Sequence, residues 1–377
     1  MLPAVCFIAA HPNPASHFAE YIQNLEQEGI CCKIIAESSV KEKFSALKSR
    51  VSVIDLSNLD KEEVLLSEIE KEIASQSIVI TDIATRFWDR LHQRLAERHP
   101  AIIRAVYYDN PESQVPGEYS KIAAEVIANA QGVLFANADL AKKGVENDVG
   151  EPIDLSGKER VAIGYYPRKE AEDILHLKKQ PELVAEVKSA FFARHNICGG
   201  NPKIFVYAGG ANSIYYEKAF PCFIELVSQL LEREDSPLQD TVIVLQQHPR
   251  AAKEGNKDAK LAEKLFAKNK LPPGFHFVVS DMPNTLSLAI ADGVFYYQTS
   301  MAPQFVFANI PLIAQIGHEK YEDALMRAGF PFALTAGQLE EILSARESKN
   351  AKVFLEKELG IDPSWQKNIS TWLKEKL

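Results

Sequence analysis

Across 377 residues there is no run of about eighteen apolar residues, the length a helix needs to cross a bilayer, so a membrane-spanning segment is not expected. No basic residue precedes the short apolar run AVCFIAA near the start, which argues against a secretory leader and points to the cytoplasm. Positive charge is in deficit. Lys and Arg number 42 against 51 Asp and Glu, a net charge of −9 that gives no general attraction to a phosphate backbone, so nucleic acid is not an expected partner. The five cysteines, Cys6, Cys31, Cys32, Cys198 and Cys222, are odd in number and lack C-x-x-C spacing. Neither a disulfide framework nor a zinc ribbon is expected, and reduced thiols fit a reducing compartment. Histidine spacing offers no zinc site, and Asp-x-Asp is absent, so no metal-held diphosphate is expected. No internal repeat or low-complexity tract appears.

What is present is an ordinary globular composition, 46% hydrophobic and 25% charged. The length exceeds the ~100 to 200 residues of one domain, so two domains are expected. Short β-type runs alternate with helical stretches throughout, the mark of an α/β chain with parallel sheets covered on both faces. In the first half the expected strands are AVCFIAA (4–10), CKIIAE (32–37), VSVIDL (51–56), SIVITDI (77–83), IIRAVYYD (102–109), GVLFAN (132–137) and VAIGYY (161–166). The second half repeats the alternation with KIFVYAG (203–209), TVIVLQQ (241–247), FHFVVS (275–280), GVFYYQ (293–298) and PLIAQIG (311–317). The expected organisation is a first domain over 1–166, a helical linker over 167–201, a second domain over 202–345 and C-terminal helices over 346–377. The last helix, WQKNISTWLKEKL, sets Trp365, Ile369 and Trp372 on one face and is expected to pack back on the first domain.

In open α/β sheets ligands sit at the carboxyl ends of the strands, and three loops of the second half follow such ends. Gly209-Gly210-Ala211-Asn212-Ser213 offers glycines that let backbone approach a diphosphate, ahead of a helix with unpaired N–H groups. Gln247-His248-Pro249-Arg250 brings an imidazole and a guanidinium suited to phosphate or ribose oxygens. Gln298-Thr299-Ser300 supplies hydroxyls just before a helix. Each also has a bland reading: a tight turn, a strand ended by proline beside a solvated Arg, an ordinary N-cap.

In this order the three loops resemble the nucleotide-binding domain of GT-B glycosyltransferases. An HP dipeptide after one strand and a Ser/Thr turn before a later helix resemble bacterial sialyltransferases, CDP-glycerol glycerophosphotransferases and lipid-A-disaccharide synthases, and the non-hydrolysing UDP-N-acetylglucosamine 2-epimerases share the fold. The resemblance implies two Rossmann-like, doubly wound domains facing a central cleft. It implies that His248 contacts the nucleotide, that Ser300 and Thr299 grip phosphate, and that the loop Ser280-Asp281-Met282-Pro283-Asn284 cups the base. Several of these families place a ribose-binding glutamate a few residues after the turn; here that place is held by Gln304, which can still hydrogen-bond a hydroxyl.

The first half would then supply the acceptor side and a general base. Candidates are His17 in HPNPASH, where Ser16 is read as a helix cap and His11 is likewise expected to look into the cleft, and the carboxylates Asp109 and Glu112 in YYDNPE, with Asp82 at the end of SIVITD a further one. A turn closing a strand before Pro111 is the bland alternative. Arg86, Arg90, Arg94 and Arg98 recur every four residues as a helix stripe, read either as a solvated face or as peripheral contact with an anionic membrane or acceptor.

The expected activity is metal-independent transfer of a sugar from a nucleotide-activated donor to a hydroxyl acceptor, the nucleotide sugar being co-substrate and no further cofactor implied. Two other classes compete: a nucleotide-sugar epimerase, which needs no acceptor, and a non-catalytic nucleotide- or sugar-binding protein on the same fold.

Overall fold

The computed structural model describes residues 4–56, 62–114, 118–147, 149–164, 168–198, 200–210, 213–247, 257–266, 271, 274–280, 282–345 and 351–377. The chain folds as two compact units, Met1–Tyr166 with Glu356–Leu377, and Pro167–Leu355.

In the first unit the strands are β1 Val5–Ala9, β2 Cys32–Glu37, β3 Arg50–Ile54, β4 Ile78–Asp82, β5 Ile103–Tyr108, β6 Gly132–Phe135 and β7 Glu159–Ala162. Between them run α1 Pro12–Gln27, α2 Glu62–Ile73, α3 Arg86–Arg98, α4 Glu118–Asn129 and α5 Leu140–Lys143. The sheet order is β3-β2-β1-β4-β5-β6-β7, and every pairing is parallel. Alternation along β1 explains why its sequence is apolar at every position. Cys6 and Ile8 face the core with Trp88, Leu91 and Val126, whereas Val5, Phe7 and Ala9 face Phe18, Tyr21 and Trp372.

The second unit holds β8 Lys203–Ala208, β9 Thr241–Gln246, β10 His276–Val279, β11 Gly293–Tyr296, β12 Leu312–Ile316 and β13 Phe332–Ala333, in the parallel order β10-β9-β8-β11-β12-β13. The two residues of β13 are too short a run to be read from sequence. The stretch expected as a linker is folded into this unit as α6 Arg168–Lys178 and α7 Pro181–Arg194. A π turn over Tyr215–Ala219 leads into α8 Phe220–Leu231; α9 Lys257–Phe266, α10 Asn284–Ala289, α11 Ala302–Phe307, α12 Ala324–Arg327 and α13 Ala336–Ser344 follow. Tyr207 of β8 stacks on Phe223 of α8 with ring centroids 4.0 Å apart.

After α14 Lys352–Glu358 the chain returns to the first unit as α15 Trp365–Lys376. Trp365 meets Tyr21 of α1 edge-on at 5.4 Å, and Ile369, Trp372 and Leu373 enter the same core. Among the described residues no helix is long and apolar enough to cross a membrane.

Candidate functional site

In each sheet the chain leaves its first strand toward one edge and later resumes on the other side. The strand order therefore reverses between β1 and β4, and between β8 and β11. At such a point the loops leaving the two strands diverge to opposite faces and open a crevice at the carboxyl ends.

In the second unit the crevice is bordered by Gly209-Gly210 and by Gln298-Thr299-Ser300. The glycines are closely packed. A Cβ on Gly209 would stand 3.1 Å from Tyr215 Oη and from the Gln246 carbonyl, and one on Gly210 would stand 3.0 Å from the Tyr215 ring. Beyond β11, Gln298 takes a left-handed φ of 49°, which turns the chain sharply. Thr299 Oγ1 then accepts the Met301 N–H at 3.2 Å, as a capping hydroxyl does. Ser300 is exposed. The floor toward β9 is a polar network: Ser287 Oγ donates to Gln246 Oε1 at 2.9 Å, Gln246 Nε2 donates to the Met282 carbonyl at 3.4 Å, and the Met282 N–H donates to Ser280 Oγ at 3.1 Å. Of the residues expected here, Gly209, Gly210, Met282, Thr299, Ser300 and Gln304 belong to this end of the unit. Asn212, His248 and Arg250 lie outside the described residues.

Two acidic residues at this end carry no sequence signal. Asp258, in the first turn of α9, is fully buried beneath Gly209; Tyr215 Oη donates to its Oδ2 at 3.4 Å, and among the described residues its Oδ1 has no hydrogen-bond partner. Burial raises its pKa, against smaller lowering contributions from Tyr216, Tyr215 and Lys257. The Lys257 ammonium lies over the Tyr216 ring, 4.1 Å from its centroid. Glu170 of α6 is the second: its Oε2 accepts from Gln304 Nε2 at 2.6 Å.

In the first unit the crevice lies between β1 and β4. Asp82 ends β4 with no exposure, its Oδ2 accepting the N–H groups of Ala10 (2.6 Å) and His11 (3.2 Å), its Oδ1 those of Ala84 (3.1 Å) and the Trp88 indole (2.6 Å). Four donors leave it a clamp on the loops, with no acceptor capacity for a substrate. Asp109, just past β5, is half-buried; Asn13 Nδ2 donates to its Oδ2 at 2.7 Å and Tyr119 Oη to its Oδ1 at 2.8 Å. Burial pushes its pKa up, Asn13 and Tyr119 pull it down by hydrogen bonding, and neighbouring Asp82 and His11 act in opposite senses. Glu112 is half-buried in the turn that follows, where its N–H bonds Asn110 Oδ1 at 3.1 Å.

Two further sequence readings need correction. His17 is 2% exposed, packed in the core with Nδ1 at 2.6 Å from Tyr107 Oη, and burial lowers its pKa to about 3. An imidazole so enclosed and so weakly basic takes no proton from an acceptor. Ser16 does not cap a helix: α1 begins earlier, at Pro12, whose missing N–H suits a first turn, and Ser16 Oγ bonds back to the Pro12 carbonyl at 3.0 Å. The arginine stripe agrees with the solvated-face reading, its members mostly exposed and each paired with glutamates of the same unit. Arg86 pairs with Glu118 and Glu125, Arg90 with Glu62, Arg94 with Glu63 (2.8 Å) and Glu70 (2.5 Å), and Arg98 with Glu70.

No protein-family model and no curated protein sequence matches the chain. Solved structures do. A UDP-GlcNAc 2-epimerase from Neisseria meningitidis bound to UDP-GlcNAc aligns with a TM-score of 0.65 at 10% identity over 98% of this chain and 99% of that one. A glycosyltransferase from Rickettsia africae aligns with 0.59 at 13% over 99% and 98%, and a trehalose 6-phosphate synthase from Burkholderia multivorans with 0.62 at 9% over 100% and 97%. These likenesses establish the fold: two Rossmann-like domains, as in GT-B glycosyltransferases and the 2-epimerases.

Proposed function

We propose that this protein transfers a sugar from a nucleotide-activated donor to a hydroxyl acceptor. The observation that carries the reading is the crevice between β8 and β11, where tightly packed glycine backbone on one side and a capped turn with the exposed Ser300 hydroxyl on the other suit a diphosphate. Backbone N–H groups and hydroxyls, rather than a divalent cation, stabilise the leaving diphosphate in this proposal. On the acceptor side Asp109 replaces His17 as the proposed base. A carboxyl raised by burial lies closer to neutral pH, where proton abstraction is most efficient, and Asn13 and Tyr119 hold its orientation.

The test is incubation with nucleotide sugars, with and without hydroxyl acceptors, following nucleoside diphosphate release. Acceptor-dependent release that persists in excess chelator supports the proposal. Conversion of the nucleotide sugar with no acceptor present identifies an epimerase instead, the second reading favoured by the full-length likeness to the Neisseria enzyme. Nucleotide binding without turnover assigns the chain to non-catalytic recognition.

A further inference from the structure

Tyr215 is 1% exposed and lies directly against the Gly209-Gly210 backbone. A Cβ on Gly210 would meet its Cγ at 3.0 Å, and one on Gly209 would stand 3.1 Å from its Oη and 3.4 Å from Asp258 Oδ2. The sequence explains how the ring reaches this place. Pro221 has no N–H to return to the Glu217 carbonyl four residues back, so the regular helical ladder is interrupted. Over Tyr215–Ala219 it becomes a π turn, the Phe220 N–H bonding to the Tyr215 carbonyl five residues back, and turns of this kind recur at functional sites. The ring stacks on Phe220 at 5.4 Å and on Tyr207 at 6.4 Å, and meets Tyr216 edge-on at 5.0 Å. Its hydroxyl donates to Asp258 Oδ2 at 3.4 Å, in the fully buried first turn of α9. The Gly209 N–H donates to the Gln246 carbonyl at 3.0 Å, so the loop after β8 is tied both to β9 and to the helix that follows it.

We infer that Tyr215, anchored by Asp258, fixes the Gly209-Gly210 backbone in the form that receives one phosphate of the nucleotide diphosphate, which makes both of them positioning residues for the ligand. The inference rests on the nucleotide-sugar reading above. Two adjacent glycines have the widest backbone freedom of any pair, and a loop ordered before the ligand arrives removes that entropy from the cost of binding. Neither side chain touches the ligand in this arrangement; both act through the loop. A carboxyl accepts the tyrosine hydroxyl with or without its proton, and the amide oxygen of asparagine does the same, whereas leucine fills similar space and accepts nothing.

The experiment compares the parent, Y215F, D258L and D258N by thermal unfolding and by calorimetric titration with UDP, GDP, CDP and ADP and the corresponding monophosphates. The parent is titrated first. Binding of none of these means that the nucleotide-sugar reading has failed and that this inference falls with it; binding without a preference for the diphosphate overturns this inference alone. Y215F and D258L are each expected to lower diphosphate affinity by roughly 3- to 10-fold, the worth of one hydrogen bond, and to change monophosphate affinity, which relies on the Ser300 turn, by less than about twofold. D258N is expected to recover the parental preference for the diphosphate. Equal losses for the two classes of nucleotide, or a lower melting temperature with the parental preference intact, would overturn the inference, since a packing role explains either. So would a D258N that loses as much as D258L. Should D258L fail to fold, the comparison of Y215F with D258N decides.

Discussion

Asp109 and Asp258 are both carboxyls raised by burial, but their surroundings differ. Asp109 is half-buried with a donor on each oxygen, so its orientation is set. Asp109→Asn keeps the shape and removes the base; turnover is expected to fall by roughly 10²- to 10⁴-fold with nucleotide affinity unchanged, measured by steady-state kinetics and titration. Unchanged turnover would remove Asp109 from the chemistry. Asp258 is enclosed, and one of its oxygens has no hydrogen-bond partner among the described residues. Its folded pKa lies above the ordinary 3.8, so the folded state holds the proton longer than the unfolded chain. The stability this contributes is full below the unfolded value and is lost as pH rises through the folded one. Asp258→Asn is therefore expected to flatten the decline of the urea midpoint from about pH 4 toward neutrality. An identical pH slope in parent and variant would contradict the assignment of this group.

Helix α3 shows how a striking charge pattern acquires a modest meaning. Its four arginines meet glutamates of α2 and α4, and Arg94, 13% exposed in its side chain, is the most enclosed of the four, against 55% for Arg90. Arg94→Ala leaves Glu70 short of a charged donor and is expected to cost about 1.5 kcal/mol, Arg90→Ala under about 1 kcal/mol, by urea unfolding. Equal costs would mean that burial does not grade these pairs. Strands were legible because a parallel strand covered on both faces is a continuous apolar run, and each expected strand recurs within a residue or two of its bounds, β7 excepted, which starts two residues earlier and ends at Ala162. The position of His17 was legible in part, since it stands four residues before Tyr21 on the buried face of α1 with Phe18, Ile22 and Leu25. The Glu170–Gln304 bond was not, because nothing local links residues 134 apart.

At the scale of the molecule, the same order is built twice: a first strand at the centre, two strands to one side, the remainder to the other. That duplication was readable from the alternation of the two halves, and it locates a ligand crevice in each unit before any side chain is considered. Which ligand is taken is a matter of a few side chains, several of them brought together only by folding. The most direct test of the account is thermal unfolding of the intact chain against UDP, GDP, CDP, CMP, TDP and ADP, with Ser300→Ala beside the parent. A nucleotide at 100 times its dissociation constant stabilises by roughly 2.7 kcal/mol. The account predicts that one of them raises the melting temperature and that Ser300→Ala loses most of that rise. No shift with any nucleotide at millimolar concentration, in a chain that unfolds cooperatively, would contradict it.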